Sequence, residues 1–279
     1  MRVLALTNLY PNPYQPNRAP FNRHPLRLLA ERHAVRVIAP IAWTDELRAR
    51  RGRAAKLPAA RRLERDGSVV EHPSYWFPPG VLRGSYGRFY LWSVQNAFWR
   101  AVREFKPTVV LAPWAYPDGW AAVELGRRAG LPVVVKVLGS DILMLPQFPA
   151  RRPGTEAAVR AADAVLAVSA DLRERLVAMG VERERIRVIY DGVDSNIFRP
   201  GSRAEARQRV GFASAEPLVL FVGNLVAVKG IDVLLEACAR LEAEGKKKVR
   251  LVVIGSGLMR AAHEQQSRVL GLSRRVAFL

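Results

Sequence analysis

Short apolar runs alternate with amphipathic stretches along almost the whole chain. The runs are 2–7, 34–39, 68–72, 108–112, 132–138, 164–168, 186–190, 218–222, 249–254 and 276–279. Most are continuously apolar, as strands buried on both faces of a parallel sheet must be. Between them, 21–32, 86–105, 119–129, 155–162, 171–179, 231–244 and 258–270 carry apolar residues at helical spacing. This alternation predicts an α/β protein with doubly wound parallel sheets and helices on both faces.

Local punctuation fits these elements. Gly130-Leu131-Pro132 stops one helix and launches a strand. Ser169 stands where an N-cap belongs, and Gly180 where the same helix should end. Pro200, Gly201 and Pro217 bracket a charged stretch, after which a fresh strand begins. We therefore read residues 1–200 as a first domain of seven strands and 201–279 as a second of three. The second is a bare β-α-β-α-β string. A half-sheet with an uncovered edge is a poor stopping point, so this domain is expected to be incomplete at its C-terminal end.

One stretch breaks the alternation. Residues 41–67 show no convincing apolar period and carry Arg48, Arg50, Arg51, Arg53, Lys56, Arg61, Arg62 and Arg65. Only Asp45, Glu46, Glu64 and Asp66 oppose them. This is either a solvated insertion or a basic arm that lies on anionic phospholipid headgroups. The following helical stretch holds Phe89, Tyr90, Trp92, Phe98, Trp99 and Phe105. Aromatics at that spacing read as core, or as an interfacial surface beside the basic arm.

Composition adds the charge. The 279 residues contain 44 Lys and Arg against 25 Asp and Glu, a net of +19, and 37 of the basic residues are Arg. Residues 1–140 hold 22 basic and 9 acidic side chains, so the excess lies in the first half. Such a surface suits a partner rich in phosphate or acidic lipid. No helix-turn-helix, finger or RNA-binding signature accompanies it, so nucleic acid is not the expected partner. Cys238, the one cysteine, excludes a disulfide framework and a cysteine-based zinc site. No apolar run approaches the ~18 residues that span a bilayer. The chain opens Met1-Arg2 and enters an apolar strand at once, without a small-residue cleavage site, so a cytoplasmic protein is expected, peripheral at the inner membrane face if the arm meets lipid.

Candidate chemistry collects in loops that follow strands. Gly223 ends one strand, and Lys229-Gly230 stands at the mouth of the next helix. Helix N-terminal N–H groups beside an ammonium make a phosphate site; the bland alternative is a tight turn with a surface lysine. The order is not that of a Walker A loop. Gly255-Ser256-Gly257 opens like a dinucleotide fingerprint, but Arg260 replaces the third glycine and no strand-end acid follows, so a nicotinamide cofactor is disfavoured. In the first domain, residues 8–21, 114–119 and 138–141 follow three strands at their carboxyl ends, the edge where α/β sheets bind ligands. Asp118 and Asp141 could each bind substrate hydroxyls or cap a helix. We read Asp118 as a cap, and Asp141 as facing a cleft because Gly139 lets the backbone come close.

Taken in order, these landmarks resemble the family 4 retaining glycosyltransferases of the GT-B fold. The matching residues are Tyr10-Pro11 through Phe21, Pro117-Asp118-Gly119, Gly139-Ser140-Asp141-Ile142, Ala162-Asp163, Val168-Ser169, Gly192-Val193-Asp194 with Phe198-Arg199-Pro200, Phe221-Val222-Gly223, Lys229-Gly230 and Gly255-Ser256-Gly257. The resemblance implies two Rossmann-like domains, the first for an acceptor and the second for a nucleotide sugar. It implies transfer of the sugar with retention, without a metal or other cofactor. Gly223, Asn224 and Lys229 would meet the donor diphosphate, and Gly255 and Gly257 the nucleotide. Phe21, Asp118, Gly139, Ser140 and Asp141 would line the central, acceptor-side cleft. The implied partners are a UDP- or GDP-sugar and a lipid-linked, polysaccharide or small-molecule acceptor. No catalytic residue is implied. The chain departs from the family pattern at Asn224 (often Arg), Leu138 (often His), Ala19 (Gly) and Asp191 (Asn). A pair of glutamates that normally holds the donor is absent, which leaves open a catalytically incomplete fragment.

Overall fold

The computed structural model describes residues 1–51, 61–212, 216–245 and 249–279, and divides them into units at Met1–Val193 and Asp194–Leu279. The strands of the first unit are β1 (Arg2–Leu6), β2 (Ala34–Ile38), β3 (Ile41–Ala42), β4 (Arg62–Arg65), β5 (Ser68–Glu71), β6 (Ser74–Tyr75), β7 (Val109–Ala112), β8 (Val133–Val137), β9 (Ala164–Ala167) and β10 (Ile186–Val188). Its helices are α1 (Pro20–Ala30), α2 (Trp43–Arg51), α3 (Tyr86–Phe105), α4 (Trp120–Ala129), α5 (Ser140–Leu143), α6 (Arg152–Ala161) and α7 (Ala170–Ala178).

Strand β1 shows why the sheet forms. Leu4 and Leu6 enter one core and Val3 and Ala5 the other, as the two-residue period of a strand demands. The first core gathers Tyr90 and Phe98 of α3, Leu125 of α4, Val159 of α6 and Leu176 of α7. The second is smaller and holds Leu26 of α1. The sheet order is β10-β9-β8-β7-β1-β2-β5-β4. Every neighbouring pair is parallel except β4–β5. The winding direction reverses between β1 and β7, so the loops after these two strands flank a topological switch point.

The stretch 41–67 is more ordered than its sequence pattern predicts. It holds β3, α2 and β4 among its described residues, while Arg53 and Lys56 lie outside them. Strands β4 and β5 form a hairpin in which Arg65 pairs with Ser68. Its turn is Asp66-Gly67, both at positive φ (51° and 73°), the geometry of a type I′ turn. Arg62 stands opposite Glu71 and pairs with it at 3.2 Å and with Glu104 at 3.1 Å. A charged edge strand has no apolar stripe to announce it, and the Asp-Gly dipeptide was the available signal. Short β3 and β6 pair separately, beside the main sheet.

In the second unit, α8 (Arg203–Arg209) precedes β11 (Leu218–Val222), α9 (Ile231–Ala243), β12 (Arg250–Ile254), α10 (Arg260–Val269) and β13 (Val276–Phe278). The sheet is parallel in the order β11-β12-β13. Ile231, Leu235 and Cys238 of α9 pack on Leu251 and Val253. On the opposite face of β11, Leu220 and Val222 are exposed.

Helix ends follow local chemistry. Ser169 Oγ accepts the Leu172 N–H at 3.2 Å, and Gly180 is left-handed after the last turn of α7. Elsewhere packing overrides propensity. The Tyr116 ring lies so close to α6 that a Cβ on Gly154 would stand 2.4 Å from it. An alanine in a helix is ordinarily favoured over glycine. Here Gly154→Ala should instead destabilise the protein by about 1–3 kcal/mol through overpacking. Gly201→Ala, with nothing within 4 Å of its added Cβ, should stay within about 0.5 kcal/mol of the parent. Urea titrations of the two variants check this.

Candidate active site

The loop after β1 is shaped by its own polar side chains. Thr7 Oγ1 accepts the Leu9 N–H at 3.0 Å. Asn12 Oδ1 accepts the N–H groups of Tyr14 and Gln15, each at 3.0 Å, an Asx-type turn. The Asn22 amide donates back to the Leu9 carbonyl at 2.9 Å. Ala19, where the family pattern has glycine, keeps the left-handed conformation (φ 48°, ψ 58°). An L-residue there carries about 1–2 kcal/mol of strain. Pro20 then opens α1, and Phe21 is exposed on its first turn.

Asp118 is fully buried and does not cap α4. Its Oδ1 accepts the Asn8 N–H at 2.6 Å, joining the loop after β7 to the loop after β1 across the switch point. Burial pushes its pKa up to about 7, against the pull of Tyr90 and of the Asn8 N–H toward the charged form. Asp118 Oδ2 and the Tyr90 hydroxyl each lack a partner of good hydrogen-bond geometry among the described residues.

Asp141 is also buried and spends its oxygens on backbone. Oδ1 accepts from Leu138 N at 3.0 Å and Gly139 N at 2.9 Å, and Oδ2 from Ala115 N at 3.2 Å. It thereby ties the loop after β8 to the loop after β7. Burial raises its pKa as well. Gly139 is at φ 120°, a region that favours glycine, and Ser140 is exposed at the start of α5. The loops after β1, β7 and β8 thus meet at one sheet edge. Asp191, the departure in the segment after β10, pairs with Lys136 of β8 at 2.5 Å.

In the second unit the loops after β11 and β12 continue the pairing of their strands. Gly223 N donates to Ile254 O at 3.0 Å, Leu225 N to Ser256 O at 2.8 Å, and Met259 N to Leu225 O at 3.0 Å. A Cβ on Gly255 would stand 1.9 Å from Gly223 O, and one on Gly257 2.4 Å from Leu225 O. Both glycines also have φ above 150°. The neighbouring backbone demands them, whatever else they meet. Leu225 is buried beneath the pair, while Asn224 and Lys229 are exposed above it. Lys229 ends a short 3-10 turn, Gly230 (φ 65°) bends the chain, and α9 begins with its N–H groups toward this end.

Sequence reasoning gave no structural role to three residues that build these edges. Asn8 contributes only its backbone, so no side-chain signal existed. Tyr116 accepts the Gly87 N–H at 2.7 Å and donates to Gly84 O at 2.9 Å. Arg260 reaches Gly255 O at 3.3 Å and Phe278 O at 3.2 Å, bracing the glycine loop against β13. Its place at a missing third glycine was the signal.

The buried Asp118 has a measurable signature. Its folded pKa is raised above the unfolded value of about 3.9, so the folded state binds the extra proton between those values. That contribution is fully present below about pH 4 and lost as pH rises through about 7. Asp118→Asn keeps an acceptor for the Asn8 N–H and does not titrate. The parent should therefore lose stability relative to Asp118→Asn between about pH 4 and about pH 8, by on the order of 4 kcal/mol. Urea titrations of both proteins across that range measure the difference.

The comparisons with known proteins agree with this architecture. A family profile described as a glycosyl transferase 4-like domain matches residues 21–192. One described as glycosyl transferases group 1 matches 202–279. The chain is 37% identical to the D-inositol 3-phosphate glycosyltransferase of Nocardia farcinica over 173 residues, 60% of this chain and 38% of that protein. It is 31% identical to D-inositol 3-phosphate glycosyltransferase 1 of Catenulispora acidiphila over 251 residues, 81% of this chain and 57% of the relative. The chain thus spans less than two thirds of the length of either. In fold it matches the crystal structure of Anabaena Alr3699/HepE in complex with UDP and glucose, with a TM-score of 0.67 and 21% identity, over all of this chain and 69% of that one. The two parallel-sheet, Rossmann-like units are those of the GT-B class. With one profile over most of the first unit and the other over most of the second, the chain belongs to the glycosyl transferase 4-like family, followed in the same chain by a group 1 glycosyl transferase domain.

Proposed function

We propose that the protein moves a sugar from a UDP- or GDP-sugar to a lipid-linked, polysaccharide or small-molecule acceptor, with retention of configuration. One observation carries the reading. The loops after β11 and β12 are fused side by side, and the exposed Lys229 stands beside the N-terminus of α9. N–H groups of a helix N-terminus and an ammonium suit a diphosphate. As the bond between sugar and phosphate breaks, both electrons stay with the phosphate oxygen. Lys229 and the helix end would stabilise that charge as it develops, a larger effect on the transition state than on the bound donor. The solved relative with UDP supports this choice of ligand.

The acceptor belongs to the edge where the loops after β1, β7 and β8 meet, with Phe21, Gly139 and Ser140 toward it. Asp118 and Asp141 serve there by fixing the loops, because Asp118 Oδ1 and both oxygens of Asp141 accept from backbone N–H groups. The names of the two relatives make inositol 3-phosphate the first acceptor to try. The second reading is a chain that binds donor without turnover, and the departures from the family pattern at Asn224 and Leu138 favour it.

Donor binding separates from transfer in the test. Calorimetric titration of the 279-residue chain with UDP and GDP should show binding of one of them. Lys229→Ala should weaken it by roughly 10–100-fold, the worth of a charge-assisted hydrogen bond. Lys106→Ala, a surface lysine of the first unit, should leave it unchanged. Failure to bind either nucleotide would overturn the donor reading. Binding without release of labelled sugar to any acceptor would establish the non-catalytic reading.

A further inference from the structure

From Pro73 to Arg103 the chain contains no Asp or Glu, yet it holds Arg83, Arg88, Arg100 and Arg103 and nine aromatic residues. The fold sorts these aromatics. Tyr90 and Phe98 are buried, and Tyr75 meets Tyr90 edge-on with ring centroids 5.1 Å apart. Four large apolar side chains stay outside: Trp76 (52% exposed), Val81 (58%), Leu82 (63%) and Trp92 (64%).

Hydrogen bonds to α3 fix the backbone that carries Trp76, Val81 and Leu82. Trp76 N donates to Ser93 Oγ at 3.1 Å, which sets the end of β6 beside Trp92. The Tyr86 hydroxyl donates to Pro78 O at 3.1 Å and accepts from Gly80 N at 3.3 Å. That folds the loop bearing Val81 and Leu82 back onto the first turn of α3. Arg83 sits on this loop, and Arg88 lies one helical turn before Trp92, where the two share a face. The surface continues into a second acid-free stretch, 142–155. There the Arg151 guanidinium lies 6.0 Å from the Tyr86 ring and 5.6 Å from the ring of the exposed Phe148.

Four arginines outside this face are differently placed. Arg48 pairs with Asp45, Arg61 with Glu46, Arg62 with Glu71 and Glu104, and Arg100 with Glu71. Among the described residues, Arg83 and Arg88 make no ion pair. We propose that the face formed by Trp76, Val81, Leu82, Arg83, Arg88 and Trp92 rests on an anionic lipid surface. Indole rings favour the headgroup level of a bilayer, and aliphatic side chains at a loop tip enter the acyl boundary. Guanidinium groups without internal partners are left to meet lipid phosphates. Single-stranded nucleic acid would also suit exposed rings and arginines, but Val81 and Leu82 offer nothing for a base to stack on. The inference goes beyond the sugar-transfer reading and does not depend on it, because binding to lipid needs no donor.

Flotation of the full chain with vesicles tests it. The chain should float with vesicles containing phosphatidylglycerol, less so as salt rises, and little with phosphatidylcholine alone. The triple change Val81→Ser, Leu82→Ser, Trp92→Ser should reduce binding about tenfold or more. Arg83→Gln with Arg88→Gln should reduce binding to the anionic vesicles by about tenfold. Arg127→Gln with Arg128→Gln removes the same charge at the end of α4 and should change binding little. In the unmodified protein, brominated acyl chains should quench tryptophan emission, a readout that requires no variant to fold. No flotation with anionic vesicles, an equal loss in the Arg127 and Arg128 variant, or absence of quenching would each overturn the proposal. So would a tighter complex with a single-stranded RNA oligonucleotide that the triple variant loses.

Discussion

The first unit depends on one constraint: a carboxyl group held where water does not reach. Asp118 stands at the reversal of strand order between β1 and β7, and its contact with the Asn8 N–H is what joins the two loops there. A sheet that winds outward in both directions leaves a gap at that point, and side chains alone do not close it. Asp141 repeats the device one strand along, with three backbone N–H groups instead of one. The two aspartates are the frame around which polar loops keep a shape. Their burial opposes ionisation and the backbone donors favour it; in both, burial prevails.

Much of the architecture was legible because buried parallel strands leave an unmistakable mark. Each strand of 109–112, 164–167 and 251–253 is apolar without interruption, and the helices between them carry one apolar stripe. Helix α3 spans the residues expected of it, 86–105. What the pattern hid was edge structure. Strand β4 is Arg-Leu-Glu-Arg, stabilised by cross-strand charge pairs in place of a core face. The site was legible in part. Glycines and a lysine after strands pointed to the right edges. The direction in which a carboxylate turns depends on burial and on backbone donors far along the chain, as Asn8 and Asp118 show, and no local spacing encodes that.

The charge takes on a different meaning once the side chains are placed. A net of +19 describes a sum, but its parts fall into distinct environments. Arg61, Arg62 and Arg100 tie the β4–β5 hairpin to α2 and α3 through Glu46, Glu71 and Glu104. Arg260 serves as a brace to backbone carbonyls. Arginine suits these tasks because its planar fork can satisfy two acceptors at once, which an ammonium does less well. Part of the arginine count in this chain is thus a means of joining elements that have little apolar surface to share.

The fused loops of the second unit carry a thermodynamic consequence. Flexible loops that close on a ligand lose conformational freedom as they do so, and that loss weakens affinity. Here the loop after β12 is already seated on the loop after β11, with Gly255 and Gly257 pressed against neighbouring carbonyls. The ordering has taken place during folding. A ligand that lands on this edge meets a template rather than an ensemble, so its affinity is set by the contacts it makes and by the water it displaces.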